Sequence, residues 1–127
     1  MKQTITAALL AGLIALSSNA FASADRAAVA VVDSYMTALV DGNLRAMKRQ
    51  LSKRMKKERK RVLANTQYAN TLQRAYTGAS YEVISSEQVS ATRAVVTVRI
   101  TLESSDKVHV RFTLDGGPND YTITSEA

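Results

Sequence analysis

A chain of 127 residues with no cysteine, one histidine and a formal charge of +6 has room for one domain and excludes several chemistries at the outset. Without cysteine there is no disulfide framework, thiol nucleophile, cysteine-bound metal or lipid-modified cysteine. The charge is unevenly spread. Ten of the 17 Lys and Arg fall within residues 45–61 beside a single acid, Glu58, a local balance of +9. The rest of the chain beyond residue 22 stands at −4, so a mildly acidic domain carries one intensely basic element.

The first 22 residues have the three-part pattern of a secretory signal peptide. Met1 and Lys2 give a positive start, residues 5–16 are apolar or small, and Ala20-Phe21-Ala22 closes on an A-x-A cleavage pattern. The apolar run is too short for a permanent bilayer span, and no later run is long enough. Cleavage is expected after Ala22, which leaves residues 23–127 as a single exported domain. That means the periplasm in a Gram-negative cell and secretion otherwise.

Asp25 is expected to cap the first helix, its carboxylate accepting from amides one turn on. Ala28, Val31, Val32, Tyr35, Met36, Leu39 and Val40 recur at helical spacing, with Asp33, Ser34, Thr37 and Asp41 opposite. Gly42 ends this helix and Asn43 caps the second. From Leu44 the apolar stripe narrows to Leu44, Met47, Leu51, Met55 and Val62. Such a seam meets the body along one line only. The run is either one helix or two broken at Ser52. Glu58 is placed to reach Arg54 one turn back and Arg61 one turn on. Asn65-Thr66 is a further cap or kink, and Tyr68, Leu72, Ala75 and Tyr76 form a third stripe ending at Gly78.

The rest reads as strands. Residues 81–89 form the first, with Tyr81, Val83 and Ser85 on one face and Glu82, Ile84 and Ser86 on the other. Ser90-Ala91-Thr92 turns the chain. Ala94, Val96, Val98, Ile100 and Leu102 then alternate with Thr97, Arg99 and Thr101. After the Ser104-Ser105-Asp106 turn, Val108, Val110, Phe112 and Leu114 alternate with Lys107, His109, Arg111 and Thr113. Residues two apart share a face, so this is an antiparallel meander with one apolar side. Residues 115–120, rich in Gly, Pro, Asn and Asp, make the last turn before Tyr121 and Ile123. An apolar sheet face must be covered, and the helices are its lid. The fold class is α+β, N-terminal helices packed on a four-stranded antiparallel sheet.

Three stretches carry a resemblance. VVDSYMTALVDGNLRAM resembles the opening helix, glycine turn and second helix of the nuclear transport factor 2-like superfamily, the cone fold of ketosteroid isomerases and polyketide cyclases. LQRAYTGASYEV resembles its third helix and first strand, and RAVVTVRITL with KVHVRFTLDGGPNDYTI its three long strands. The likeness is closest to the small exported bacterial members of unknown function. Tyr121 stands where the family often has Trp. The resemblance implies a curved sheet and helices enclosing a pocket, for which Tyr35, Leu39, Tyr68, Leu72, Tyr76, Val98, Phe112 and Tyr121 are the candidate lining residues and a small apolar molecule the ligand. It implies no reaction, because function on a shared fold lies in the groups lining the site.

No catalytic constellation emerges. A cone tyrosine (Tyr81 is a further one) can donate to an enolate but needs a carboxylate or histidine beside it for proton transfer. His109 falls on the outer sheet face by parity, Asp33 and Asp41 lie on the polar helix side, and the strand acids fall in turns or at outer positions. Packing with a satisfied hydroxyl is the plainer role for the tyrosines. Gly116-Gly117 leads into Pro118 and a strand, not a helix, so it is a hairpin turn and no phosphate loop. No cofactor and no metal are expected.

The basic run is the sharpest feature: Arg45, Lys48, Arg49, Lys53, Arg54, Lys56, Lys57, Arg59, Lys60 and Arg61. A continuous helix of about 17 residues would be roughly 25 Å long. Either these cations form a solvated face or they dock on an anion. After export the available polyanions are anionic lipid, cell-envelope polymers and acidic proteins. Nucleic acid fits poorly, since no aromatics interleave the charges for stacking. Three readings compete: a non-enzymatic exported binding module, a small isomerase- or cyclase-like enzyme, and a structural or homodimerising subunit using the threonine-rich outer sheet face (Thr97, Thr101, Thr113).

Overall fold

The structure, a computed structural model, describes residues 19–127, with side chains from Asp25 onward. The expected leader, apart from the backbone of residues 19–22, lies outside the described residues. Helix α1 spans Asn19–Asp41. Asp25 is therefore inside a helix and is not its cap. Nothing between Asn19 and Asp25 breaks a helix, and alternate alanines favour one. Ala28, Val32, Tyr35, Met36 and Leu39 are buried on one side, as their spacing predicts. The helix closes in a Schellman motif, with Asn43 N–H donating to Ala38 O at 2.8 Å and Gly42 N–H to Leu39 O at 3.1 Å. Gly42 has φ +69°, and a Cβ there would lie 2.7 Å from Ala69 O. Here glycine supplies both the left-handed turn and the close approach of the helix that carries Ala69.

The basic run is not one cylinder. It forms α2 (Leu44–Arg49), α3 (Lys53–Glu58) and α4 (Lys60–Leu63). The side chain of Asn43 caps α2 by accepting from Ala46 N–H at 3.1 Å, and Ser52 caps α3 by accepting from Met55 N–H at 3.2 Å. Between them Leu51 makes a parallel bridge to Ile123. Ile123 N–H donates to Gln50 O at 2.8 Å and Ser52 N–H to Ile123 O at 2.9 Å. Of the two alternatives the broken one holds, and the break at Ser52 is a pairing of backbone to the last strand, which covers an edge that would otherwise expose unpaired amides. Met47, Leu51 and Met55 are buried. Val62 is not: it is 43% exposed, and Leu63 packs inward in its place. The second interruption, at Arg59, resets the helical phase that the single stripe assumed. Helix α5 (Thr66–Ala75) is capped by Asn65, which accepts from Gln67 N–H at 2.9 Å. It buries Leu72, while Ala75 is exposed instead of joining the stripe.

Strands β1 (Ser80–Ser90), β2 (Arg93–Thr101), β3 (Lys107–Asp115) and β4 (Thr122–Glu126) form one antiparallel sheet in chain order. Together with the helices this is an α+β fold. Ala94, Val96 and Val98 pair with Leu114, Phe112 and Val110, and this inner face meets the helices. Burial follows the alternation, except near the β2–β3 turn, where Val108 is 42% exposed beyond the helical cover. Val95 is also buried, although it pairs on the outer side with Glu87 and Thr113.

Two bulges change the expected parity. In β1 a register shift between Val83 and Ser85 puts Ser86 opposite Val96 and Gln88 opposite Ala94, both inward-facing partners. Ser86 therefore exchanges faces with Ser85, because one extra residue in a strand turns every following side chain over. The β3–β4 shift falls between Thr113 and Leu114. Ile123 pairs with Leu114 and Glu126 with Phe112, so both point inward across an extra residue at Thr124.

Candidate functional site

The bulge at Thr124 creates a polar cluster on the helix-covered face. Plain alternation from Ile123 would send Glu126 outward, as the strand acids were expected to lie. The inserted residue turns it in instead. Thr124 is held there by its hydroxyl, which donates to Asp115 Oδ2 at 2.6 Å, and by its carbonyl, which accepts from Arg54 Nη2 at 2.5 Å. Glu126 Oε1 accepts from Arg59 Nη1 at 2.7 Å and from the Tyr35 hydroxyl at 3.1 Å. The Tyr35 oxygen in turn accepts from Arg59 Nη1 at 3.2 Å. Three residues from α1, the α3–α4 junction and β4 close a triangle. No sequence signal points to Glu126, since its inward aim depends on a one-residue insertion in the pairing.

The electrostatics of the triangle hold the protons of Tyr35 and Arg59 in place. Burial, then the charge of Glu126, pushes the Tyr35 phenol well above its ordinary range, with Arg59 opposing. Burial strips water from the Arg59 guanidinium, but the hydrogen bond and charge of Glu126 outweigh that loss and hold it protonated. Tyr68, half-buried on α5, is likewise raised by burial and by the Glu126 charge. The carboxylate expected to be missing beside a tyrosine is therefore present at Tyr35. Its bonded oxygen is already occupied by a guanidinium, and Tyr35 is 1% exposed with its ring edge-on to Phe112 at 5.5 Å. Such a triangle ties α1, the α3–α4 junction and β4 together.

The other candidate lining residues divide by depth. Leu39, Leu72, Val98, Phe112 and Tyr121 are buried with Tyr35 in the core, while Tyr68 and Tyr76 are half-buried at its margin. Tyr121 accepts from Gln88 Nε2 at 2.8 Å, the partner its hydroxyl needed. Tyr81 is likewise half-buried at the margin. Its hydroxyl donates to Asp33 Oδ1 at 2.5 Å, and burial together with that bond pushes the phenol up to about 12.

The ten cations also divide. Arg59 belongs to the triangle. Arg54 pairs with Glu58 at 3.0 Å as well as holding Thr124. The expected contact of Glu58 with Arg61 is not among the ion pairs of the described residues. Arg45, Lys48, Arg49, Lys53, Lys56, Lys57, Lys60 and Arg61 have no acidic partner among the described residues, and only Lys56 among them is less than exposed. Leu51 and α3 bring the middle of the arc against β4. His109 is exposed opposite Arg99 on the outer face. No group of His, Cys, Asp and Glu suited to a metal ion occurs among the described residues. Nor is any helix among them long and apolar enough to cross a membrane.

No protein-family model, no curated protein and no solved structure matches this chain.

Proposed function

We propose that this chain is an exported, non-enzymatic binding module of the nuclear transport factor 2-like type, which docks on an anionic surface through the arc formed by α2, α3 and α4. The observation that carries the reading is the set of eight cations without acidic partners. Solvated faces usually intersperse both signs; here Glu58 is the one acid in the arc and it is taken by Arg54. Near an anionic bilayer each Lys or Arg contributes about 1 kcal/mol. Four or five simultaneous contacts give roughly millimolar to sub-millimolar binding that weakens with salt. The apolar side chains of the arc are spent inward at Met47, Leu51 and Met55, so the contact is adhesion at the headgroups and not insertion. Six of the eight candidate lining residues, Tyr35, Leu39, Leu72, Val98, Phe112 and Tyr121, are buried in the core, which favours surface binding over a ligand held inside. Co-sedimentation with phosphatidylglycerol and with phosphatidylcholine vesicles at low and high salt tests this. Binding to the anionic vesicles alone, lost at high salt, is expected. Equal binding to both, or none to either, overturns it.

One observation favours a second reading. A small isomerase- or cyclase-like enzyme requires a carboxylate within reach of a core tyrosine, and Glu126 is 3.1 Å from Tyr35. The Arg59 contact and the burial of Tyr35 weigh against it. An opening that exposes both groups to a bound carbonyl compound, seen as chemical-shift changes at Tyr35 and Glu126, would revive it.

A further inference from the structure

The cations without acidic partners among the described residues are not of one kind, and the kinds are sorted along the arc. Arg45, Arg49 and Arg61 are the arginines, and all three lie on α2 and α4, beside Lys48 and Lys60. On α3 the unpaired cations are lysines only, Lys53, Lys56 and Lys57. The arginines of that middle stretch are consumed within the chain. Arg54 donates to Glu58 and to the Thr124 carbonyl, and Arg59 to Glu126 and Tyr35. The arc also closes on itself. Helices α2 and α4 are in contact although α3 separates them in the chain, and α3 packs on β4. The free arginines are thus brought to one end of the arc and the free lysines of α3 to its middle.

Arg45 and Arg49 are one turn apart, which places them on the same side of α2. Both are exposed, while Met47 of that helix is buried. Arg61 is exposed on α4, a helix of four residues and so about 6 Å long, which keeps it close to the contact with α2. A lysine ammonium is a point charge and answers to the total negative charge nearby. A guanidinium offers parallel N–H donors to two oxygens of one group. One such fork is filled by a carboxylate or by the two free oxygens of a phosphodiester. Adjacent forks need more oxygens and more charge on the same ligand. A phosphate monoester supplies three terminal oxygens and a charge of about −1.5 to −2 at pH 7. We propose that the α2–α4 end of the arc is a site for phosphate monoesters carried on lipid headgroups. Arg45, Arg49 and Arg61 are its forks, and Lys48 and Lys60 add charge. The lysines of α3 meet any anionic surface without distinction. This inference rests on the docking reading above and adds to it a choice among anionic lipids.

The test is co-sedimentation of the full chain at pH 7 with phosphatidylcholine vesicles that carry either phosphatidic acid, a monoester, or phosphatidylglycerol, a diester. The compositions are set to equal zeta potential, with roughly twice as much of the diester. Binding to phosphatidic acid should be about tenfold tighter, as one further charge-assisted hydrogen bond gives. The combined variant Arg45→Lys, Arg49→Lys and Arg61→Lys keeps every charge and removes the forks, so the ratio of the two affinities should fall to about one. Lys53→Gln with Lys57→Gln should weaken binding to both lipids by the same factor and leave that ratio in place. Equal binding to the two lipids at matched potential, or a preference that survives in the combined lysine variant, overturns the monoester site and leaves the docking reading standing. Absence of binding to either lipid ends both.

Discussion

Replacing Glu126 with alanine removes the acceptor that α1 and the α3–α4 junction share. Two interactions go: a charge-assisted bond at 2.7 Å to Arg59 and a phenol bond at 3.1 Å to Tyr35. Hydrogen bonds to charged groups contribute about 1.5–3 kcal/mol and neutral ones about 1 kcal/mol. Two effects reduce the sum. The Arg59 side chain is 32% exposed and regains water, and the Tyr35 oxygen keeps Arg59 as a donor. The Tyr35 hydrogen has no such recourse in a buried site. We expect a net loss of about 2 kcal/mol, or roughly 10 °C in melting temperature for a domain of this size. Glu126→Gln keeps an acceptor and loses the charge, so its cost should be about half. Urea unfolding of Glu126→Ala, Tyr35→Phe and the double variant gives the coupling directly. Tyr35→Phe preserves the edge-on ring contact with Phe112 and deletes only the hydroxyl. A coupling energy of about 0.5–1 kcal/mol is expected. Strictly additive single effects, or a Glu126→Ala cost below about 0.5 kcal/mol, would refute the triangle as a tie between elements.

Gly42→Ala should destabilise by about 1–3 kcal/mol, since a Cβ meets Ala69 O at 2.7 Å in a left-handed turn; chemical denaturation measures it. The two kinds of cation should separate. Lys57→Gln with Lys60→Gln should weaken anionic-vesicle binding by about fivefold per residue and leave melting unchanged, whereas Arg59→Gln should lower the melting temperature and leave vesicle binding nearly intact. In alkaline spectrophotometric titration, Tyr81→Phe should remove a phenol that ionises near pH 12. Because the folded chain holds that proton more tightly than the unfolded one, Tyr81 adds a loss of stability as pH climbs from about 10 to 12, and Tyr81→Phe should lessen it.

The contrast between Glu126 and Phe112 shows how far a sequence reaches. Phe112 sits in a nine-residue strand with unbroken alternation, and its burial could be read directly, though its place opposite Val96 could not. Glu126 lies beyond a single inserted residue, and parity cannot detect an insertion. Ser86 illustrates the same limit, turned inward by a bulge that leaves no mark in composition. The basic run shows a different one. Its charge was visible and Ser52 was one place where it could break, but the break itself is made by Leu51 pairing with Ile123 across 72 residues through backbone hydrogen bonds.

Local periodicity and turn chemistry alone decided that helices precede a one-sided meander, that Gly42 and Asn43 part the first two helices, and that ten cations fall in one run. These come from short-range sterics and from where apolar side chains recur. Tertiary contact decided which of those cations are consumed and which carboxylate turns inward. Each depends on register between segments distant in the chain, and register is chosen by the whole packed assembly.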